Sequence, residues 1–401
     1  MTGGRSQPGL RRPPELAPGG EPGHEPALLA VIRSEIESGG PMTFARFMDL
    51  ALYRPGFGYY ATGRRGPGRG ADFMTAPESH PIFGWAVAVQ LEEVWARLGR
   101  PSRFTVREHG AGTGALAAGI VDGLNRSGSS LRGALRYRVA ERARDRERQV
   151  RERLAAIDAG DVLEADDGEP IEGAILANEV LDALPVHRVV GGLGGSLLED
   201  FVTIDPAGAL ATLTGPASTP ALAARLANEG IRLAEGQRAE VNLQLDAWVA
   251  AAAAGLRRGL AVLIDYGHPA AALYEAGRGS LLRAYSGHRV HDDPFRNVGR
   301  QDLTAHVDLT AVERAATQAG LNHLGTTTQA EFLAGLGAAE LLVAVQADAR
   351  TELGGYLEAR SSLVRLLDPT ATGRFAVMLF GRDLEAAPEL RGLSFRMPSR
   401  T

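Results

Sequence analysis

The chain has 401 residues, 44% of them hydrophobic, and a formal net charge of −5. This length and composition allow a large buried core, in one enlarged domain or in two domains. The small net charge gives no reason to expect binding to nucleic acid or to a membrane surface. The absence of cysteine excludes disulfides, a thiolate nucleophile and Cys-ligated zinc, and it suits a reducing compartment. We therefore expect a soluble, cytoplasmic enzyme that does not insert into a membrane.

The N-terminal quarter divides into a tail and a cap. Residues 1–26 are crowded with Gly and Pro and have no apolar core of a secretory signal, which predicts a disordered tail. Residues 27–100 show helical spacing interrupted by "LYRPGFGYYATGRRGPGRGADFMTAPE", a Gly-, Pro- and aromatic-rich loop. We predict a cap made of helices and this ordered loop. In the alternative interpretation, the loop packs its own rings and binds no ligand.

From residue 101 the pattern alternates strand and helix, which favours an α/β fold with a parallel sheet. A long stretch without a core strand, residues 181–258, exceeds what a crossover needs and predicts an inserted subdomain containing the hairpin "HRVVGGLGGSLLEDFVTI". The core is then residues 101–180 and 259–385, with a C-terminal tail at 386–401. The predicted sheet is mostly parallel and seven-stranded, with the strands "RFTVRE", "LRYRVAE", "DVLEA", "GAILANE", "GLAVLIDYG", "LNHLGTTTQ" and "RFAVMLFGR".

A glycine-rich turn follows the first core strand in "VREHGAGTGAL". Gly110 and Gly112 permit a tight turn and close approach of the backbone to a ligand, and the helix that follows offers free N–H groups. The glycines alone also fit a dinucleotide fingerprint or a purely structural turn. Glu108 points instead toward S-adenosylmethionine (SAM), whose sulfonium and ammonium groups are positive. Glu141, at the end of the second strand, can accept both hydroxyls of a ribose or simply begin the next helix.

Polar side chains also follow the fourth and fifth strands. Asn178 and Glu179 emerge from "GAILA", with Asp182 close behind, at the edge where the glycine turn is expected. The alternative is that Asn178 caps a helix and Glu179 is an acid of its first turn. Asp265 repeats the pattern of a strand followed by an acid. The histidines and aspartates further on lack the tight spacing of metal ligands, so we predict no metal site; they are His268, His288, His291, His306, Asp292, Asp293, Asp302 and Asp308.

Several of these segments together resemble one family. The resemblance is to the MidA-like SAM-dependent methyltransferases, which in eukaryotes include the mitochondrial complex I assembly factor that methylates an arginine. It covers roughly residues 41–382 and is carried, in order, by "PMTFARFMDLALYRPGFGYY", "GADFMTAPE", "REHGAGTGAL", "ANEVLDALPVHRV", "LIDYG", "LLRAYSGH" and "QDLTAHVD".

The resemblance implies a Rossmann-like class I methyltransferase core with an N-terminal cap over bound SAM. The family's Gly-Pro-Gly-Arg-Gly reads Gly-Ala-Gly-Thr-Gly here, which keeps every glycine but loses the arginine. Its Asn-Glu-Phe-Phe-Asp loses both aromatic residues to Val180 and Leu181 and keeps the polar residues. The implied cofactor-binding residues are Glu108, Gly110, Ala111, Gly112, Thr113, Gly114 and Glu141 on the core and Gly58, Tyr59, Tyr60, Phe73, Thr75 and Pro77 on the cap.

We therefore predict a SAM-dependent methyltransferase that modifies an arginine of a protein substrate, with the family's link to complex I assembly as an expectation. Asn178, Glu179 and Asp182 are the predicted catalytic residues, which hold and orient the guanidinium. The alternatives are a methyltransferase for a small metabolite, a SAM-binding assembly factor with little catalysis, and an NAD-dependent oxidoreductase. Formation of a homodimer is left open.

Overall fold

A computed structural model describes residues 23–62, 75–141, 144–287, 289–348, 351–385 and 387–397. Its helices are α1 (Pro26–Gly39), α2 (Phe44–Tyr53), α3 (Ala76–Ser79), α4 (Ile82–Arg97), α5 (Ala115–Ser127), α6 (Leu131–Ala134), α7 (Arg144–Ala155), α8 (Pro220–Asn228), α9 (Leu245–Ala254), α10 (Ala270–Leu273), α11 (Leu309–Gln318), α12 (Gln329–Gly335), α13 (Ala338–Ala347) and α14 (Leu353–Leu367). Its strands are β1 (Met42–Thr43), β2 (Phe104–His109), β3 (Leu135–Ala140), β4 (Ile171–Asn178), β5 (His187–Gly191), β6 (Leu197–Ile204), β7 (Leu210–Pro216), β8 (Arg238–Val241), β9 (Leu256–Asp265), β10 (Gly267–His268), β11 (Arg283–Ser286), β12 (Arg289–His291), β13 (Asp302–Thr304), β14 (Val307–Asp308), β15 (Asn322–Thr328) and β16 (Ala376–Arg382).

The main sheet has the strand order β15-β16-β9-β4-β2-β3. The pairs β3–β2, β2–β4 and β4–β9 are parallel, whereas β9–β16 and β16–β15 are antiparallel. The central strands β2, β4 and β9 are buried over nearly their whole length, as expected for strands covered on both faces. The α/β class is thus confirmed, but the predicted seven-stranded, mostly parallel sheet is corrected to six strands in a mixed sheet.

The predicted third strand, "DVLEA", forms only a single parallel bridge, between Tyr137 and Leu163. Its first residues form a short 3₁₀ turn at Gly160–Val162. Its Glu164 and the acids that follow it form ion pairs with arginines of β2 and β3, where a backbone ladder was expected. These pairs join Asp166 to Arg107 at 2.7 Å, Glu164 to Arg138 at 3.6 Å, and Asp167 to Arg138.

Helices cover both faces of the main sheet. On one face α4, α5 and α7 contribute to a core cluster that also includes residues of α12, α13 and α14. On the other face α9 and α11 pack against β4 and β9, with Leu245, Val249 and Ala253 of α9 in that cluster. The helix α9 lies within the predicted inserted subdomain, 181–258. It nevertheless packs on the main sheet, where its apolar face is buried.

A second sheet is formed largely within the predicted insertion. It has the order β1-β6-β5-β8, and β7 also pairs with β6. The predicted hairpin is present as β5 and β6, which pair antiparallel. The short strand β1 comes from the N-terminal cap and pairs with β6 through Met42 and Val202, a contact that sequence reasoning did not anticipate. The cap helices α1 and α2 share a core cluster with this sheet.

The strand order determines where a ligand site can form. The chain passes from β2 to β3 on one side of the sheet and returns to β4 on the other side of β2. Such a reversal of strand order opens a crevice at the carboxyl ends of parallel strands. In register, His109 pairs with Ala140 and Ala177, and Asn178 pairs with Ile264. The residues that follow β2, β3, β4 and β9 therefore meet at one edge.

Within the described residues, no single helix is long and apolar enough to cross a membrane. Helices α12 and α13 meet that criterion only when taken together, and they are bent by 59° relative to each other.

The crossing of α4 and α5 depends on two glycines. A Cβ atom on Gly84 would lie 2.6 Å from backbone atoms of Gly119. We expect Gly84→Ala to lower the free energy of unfolding by about 1–3 kcal/mol, because one backbone must move away from the other. Urea denaturation checks this against Gly133→Ala, where an added Cβ meets nothing within 4 Å. Equal stability of the two variants would contradict the close crossing.

Candidate active site

A cavity of about 640 Å³ lies at the carboxyl edge of the main sheet, where β2, β3 and β4 end. The cap supplies part of its wall, and residues after β4 supply the rest. Gly114 and Asp182 do not line the cavity, and Phe73 lies outside the described residues. The predicted site residues that do line it are Tyr60, Thr75, Pro77, Glu108, Gly110, Ala111, Gly112, Thr113, Glu141, Asn178 and Glu179.

The glycine turn has the backbone that its sequence predicts. Gly110, Gly112 and Gly114 have φ angles of 68°, 57° and 81°, a region that favours glycine because it has no Cβ atom. A Cβ on Gly110 would lie 2.7 Å from Cγ2 of Val180. Gly114 is the N-cap of α5, so the free N–H groups of that helix face the turn. The turn is therefore fixed as a shallow cradle against the loop after β4.

Two acids flank the glycine turn. Glu108 is 3% exposed, and its Oε2 accepts a hydrogen bond of 2.6 Å from the Tyr137 hydroxyl. Burial raises its pKa to about 8, Glu141 adds to the rise, and the bond from Tyr137 opposes it. Glu141 was predicted to accept ribose hydroxyls; in this structure its Oε1 accepts a 2.9 Å bond from the N–H of Gly112. Its carboxylate therefore lies at the cavity wall, next to the glycine turn.

Thr113 occupies the place where the family usually has an arginine, and a different arginine reaches it. The guanidinium of Arg153, on α7, donates to the Thr113 hydroxyl and lies 3.3 Å from Glu78 Oε1. Thr113 also donates to Glu78. Glu78 belongs to α3 of the cap, so this cluster joins the cap to the glycine turn. Sequence reasoning missed Arg153 and Glu78 because they are far from the motif along the chain.

The loop after β4 concentrates buried acids. Glu179 has a φ angle of 53°, an uncommon conformation for a residue with a side chain. Its Oε1 accepts from Asn178 Nδ2 at 3.0 Å and from the Ala76 N–H at 3.4 Å. Burial raises the pKa of Glu179 to about 8, with a further rise from Asp182. Burial also raises the pKa of Asp182 to about 6, and the nearby Tyr266 hydroxyl opposes that rise.

Asp265, at the end of β9, holds this loop in place. Its Oδ2 accepts from the backbone N–H groups of Val180, Leu181 and Asp182 at 3.2, 2.8 and 3.2 Å. Burial and the neighbouring Asp182 and Glu179 raise the pKa of Asp265, while the N–H groups of Leu181 and Asp182 oppose the rise. The sequence showed an acid after a strand here, but its contact with a loop some eighty residues earlier was visible only in the fold.

The cap covers the cavity with aromatic rings. The Tyr60 ring stacks on Tyr53 at 5.7 Å, and its hydroxyl donates to Asp302 Oδ2 at 2.8 Å. The Tyr53 hydroxyl donates to the carbonyl of Ala183 at 2.9 Å. Gly58 and Tyr59 of the predicted cover do not line the cavity, and Tyr59 is fully buried. The cap is thus attached to the loop after β4 as well as to the glycine turn.

The cavity wall contains polar atoms that suit a ligand. His109 Nε2 and Asn178 Oδ1 are buried and make no hydrogen bond among the described residues, although both side chains line the cavity. Buried polar atoms of this kind are normally satisfied by a partner. Burial lowers the pKa of His109 to about 4, so the imidazole is neutral near pH 7. The histidine and aspartate candidates give no group of metal-ligating side chains among the described residues, which do not include His288.

Comparison with known proteins places the chain in a family. Residues 86–327 match the model of a family described as "Putative S-adenosyl-L-methionine-dependent methyltransferase". The chain belongs to this methyltransferase family. The mitochondrial protein arginine methyltransferase NDUFAF7 of Mus musculus is 30% identical over 79% of this chain and 77% of its own length. The homologue from Drosophila melanogaster is 28% identical over 90% of this chain and 85% of its own length.

A solved structure gives the same result. A Burkholderia thailandensis protein crystallised with S-adenosyl-homocysteine is 35% identical, has a TM-score of 0.83, and is matched over 92% of this chain and 94% of its own. The predicted family, enzyme class and SAM cofactor are thus confirmed. The cavity fits that cofactor, since it combines a glycine cradle and free N–H groups with acids for its positive groups and unpaired polar atoms.

The expected cytoplasmic location is wrong by the same comparison. The relatives from mouse and fly are both named as mitochondrial proteins. The expectation failed because a chain without cysteine fits any reducing compartment and does not distinguish among them.

Asp265 gives a test of how the loop after β4 is held. In Asp265→Asn the new amide nitrogen must face either the N–H groups of the loop or the N–H of Tyr266, which donates to Oδ1 at 2.9 Å. We expect the free energy of unfolding to fall by about 1–3 kcal/mol, because buried donors lose their acceptor. Chemical denaturation measures the change. Asp161→Asn, at an exposed ion pair with Arg132, is the control and should change stability little; a comparable loss there would contradict the assignment.

Proposed function

We propose that this chain transfers the methyl group of SAM to an arginine of a protein substrate, and that Asn178, Glu179 and Asp182 hold the guanidinium. The observation that carries the proposal is the cluster of buried carboxyl groups of Glu179, Asp182 and Asp265. Within the described residues, no arginine or histidine offsets their charge. A site that gathers buried acids without a cation favours a cationic ligand, because a bound cation stabilises the charged carboxylates that burial alone disfavours.

The names of the relatives support arginine as the acceptor. The mouse and fly proteins are both named protein arginine methyltransferases. For the fold, we assign the main sheet and its two helical layers to a Rossmann-like class I methyltransferase core, in which the cofactor lies over β2, β3 and β4. In this assignment Glu108, the turn from Gly110 to Gly114 and Glu141 bind the cofactor, and Tyr60, Thr75 and Pro77 cover it.

Bound SAM supplies an electrophilic methyl group on a positive sulfonium. The guanidinium keeps its charge near neutral pH because its pKa exceeds about 12. Two cations must therefore be brought together, and the carboxylates of Glu179 and Asp182 offset that repulsion. A bidentate carboxylate contact also aligns one nitrogen for in-line attack.

Proton balance gives Glu179 a second role. As the new C–N bond forms and the S–C bond breaks, one N–H proton must leave if the product is to remain a singly charged methylguanidinium. Glu179 has a pKa of about 8 before the cation arrives, so it is a stronger base than an ordinary carboxylate. In the proposed mechanism it accepts that proton and releases it to solvent when the product leaves.

The first experiment asks which amino acid receives the methyl group. The purified protein is incubated with methyl-labelled SAM and a cell lysate, and the hydrolysed protein is analysed for labelled amino acids. We expect label in methylarginines. We expect Glu179→Gln to reduce the transfer rate by about 10²-fold or more with SAM affinity retained, since it removes the charge but keeps the shape.

The control is Glu172→Gln, near the start of β4, where Glu172 faces Arg257 and Arg258 at the end of the strand opposite the loop that carries Glu179. It should leave the rate of transfer unchanged. Label in another amino acid would contradict arginine as the acceptor, and an unchanged rate in Glu179→Gln would remove that residue from the mechanism.

The raised pKa of Glu179 predicts proton release when SAM binds. Near pH 7 a carboxyl with a pKa of about 8 is mostly protonated, and a nearby sulfonium lowers that pKa, so the proton leaves on binding. S-adenosyl-homocysteine has no sulfonium and should release less. We expect a difference of at most about one proton, measured by calorimetry in buffers of different ionisation enthalpy. The difference should fall in Glu179→Gln and persist in Glu172→Gln, with any remainder assigned to Glu108, whose pKa is also raised to about 8. Equal release by both ligands in the unmodified protein would contradict the placement of Glu179 beside the sulfonium.

A further inference from the structure

The carboxyl edge of the main sheet continues beyond the cofactor cavity, over β9 and β16. Neither strand contributes a residue to the lining of that cavity. Tyr266 follows β9 and Phe375 precedes β16, and their rings are 5.3 Å apart. His306 meets the Tyr266 ring edge to face at 5.1 Å, and His268 stacks on His306 at 5.4 Å. Four rings in contact with one another therefore cover this part of the edge.

Three arginines lie around the two histidines. Arg374 lies two residues before β16, and Arg278 lies between α10 and β11. Arg283 belongs to β11, where it pairs in register with Thr304, two residues before His306. Arg374 is exposed, and the other two arginines and both histidines are partly exposed, so solvent reaches all five side chains. We call this set the arginine surface; it consists of Arg278, Arg283, Arg374, His268 and His306.

The charges that act on the two histidines are positive. Burial lowers the pKa of His268, and Arg278 and Arg374 lower it further, with no opposing carboxyl group among the described residues. Burial lowers the pKa of His306 to about 4, with further lowering from His268 and from all three arginines. Both histidines are therefore mainly neutral near pH 7. The arginine surface then carries the charge of its three guanidiniums.

These guanidiniums have no carboxylate partner in the described parts of the chain. Arg283 donates to the carbonyls of Ser280 and Leu282, at 3.3 and 2.7 Å. Neither Arg278 nor Arg374 forms an ion pair or a side-chain hydrogen bond with a described residue. By contrast, every arginine of β2 and β3 is paired with an acid. Like charges gathered at one place repel one another, and a bound anion relieves that repulsion.

We propose that the arginine surface binds an acidic segment of the protein substrate, beside the site where the substrate's arginine is methylated. Guanidiniums bind carboxylates with paired N–H donors. The acids Glu179 and Asp182 attract a cation, and the arginine surface attracts an anion. Two neighbouring sites of opposite charge orient a substrate that carries both an arginine and an acid. This inference rests on the proposed function and adds which protein segments it acts on.

The register of the main sheet sets the spacing between the two charges on the substrate. Asn178 pairs with Ile264, and Asp265 pairs with Ala376, so Arg374 lies two strands away from the loop after β4. Neighbouring strands lie about 4.8 Å apart, so the two sites are separated by about 10 Å, which is about three residues of extended peptide. We therefore expect the acid to lie about three residues from the methylated arginine.

The test measures the binding of four short peptides to the full chain in the presence of saturating S-adenosyl-homocysteine. The first is N-acetyl-Asp-Gly-Gly-Arg-Gly-Gly-Asp amide, in which an acid lies on each side of the arginine at the expected spacing. The others replace both aspartates with asparagine, the arginine with citrulline, or all three. We expect each aspartate peptide to bind about five- to tenfold more tightly than its asparagine partner, as measured by calorimetry.

Single variants assign this preference to the arginine surface. Arg278→Gln and Arg374→Gln each remove one guanidinium, and each should reduce the preference for aspartate by about threefold, with the affinity for S-adenosyl-homocysteine unchanged. The control is Arg360→Gln, at an exposed arginine of α14 that also forms no ion pair with a described residue. It changes the net charge equally and should keep the preference for aspartate.

Three results would overturn the assignment and leave the proposed function standing. They are equal binding of the aspartate and asparagine peptides by the unmodified protein, an equal loss of preference in Arg360→Gln and in the two surface variants, and tighter binding of inorganic phosphate than of the aspartate peptide, which would indicate a phosphate ligand. The proposed function is tested separately by the centre of the peptide. Equal binding of the arginine and citrulline peptides would contradict arginine as the acceptor, whereas the comparison of aspartate with asparagine decides the arginine surface.

Discussion

The active-site geometry depends on one buried carboxyl group reaching across the sheet. Asp265 accepts three backbone N–H groups of the loop after β4 on a single oxygen. That loop begins with Glu179 in a left-handed conformation, which is unfavourable by about 1–3 kcal/mol and persists only when the surroundings fix it. Three hydrogen bonds to one buried carboxyl can together offset a strain of this size. Asp265 therefore fixes the positions of the two acids that the proposed mechanism uses.

Other parts of the molecule attach to the same loop. The cap reaches it through the Tyr53 hydroxyl on the Ala183 carbonyl, and the segment after β13 does so through the Ala305 N–H on the Asp182 carbonyl at 2.9 Å. A Cβ on Gly110 would clash with Val180, so the glycine turn is also shaped to fit it. Disturbing the loop would thus affect the cofactor cradle, the cap and the acceptor side together.

The sequence predicted the elements whose signal is local. Strands β2, β3, β4 and β9 are apolar runs followed by Gly or by an acid, and each was found. "DVLEA" has the same composition over a few residues, but acids follow it and ion pairs with arginines compete with a backbone ladder. Three contacts join residues that are far apart along the chain. They are the pairing of β1 with β6, the packing of α9 on the main sheet, and the hydrogen bond from Val180 to Asp265. No local pattern carries that information. Asn178 and Glu179 could be identified because the end of a strand is visible in the sequence. Asp182 was also identified, but its burial outside the cavity lining was not predicted.

The antiparallel direction of β16 decides which of its residues meet the end of β9. In a fully parallel sheet, the residue after β16 would reach the carboxyl edge, and that end of the strand carries Arg382, whose guanidinium donates to the carbonyls of Leu256 and Ala319 at the opposite edge. Because β16 runs the other way, its first residues reach the edge, and Phe375 and Arg374 precede them. Phe375 packs on Tyr266, and Arg374 helps to keep the pKa of His306 low. The reversal of the last strands, which the sequence pattern did not predict, thus brings Phe375 rather than Arg382 against the residue that follows β9.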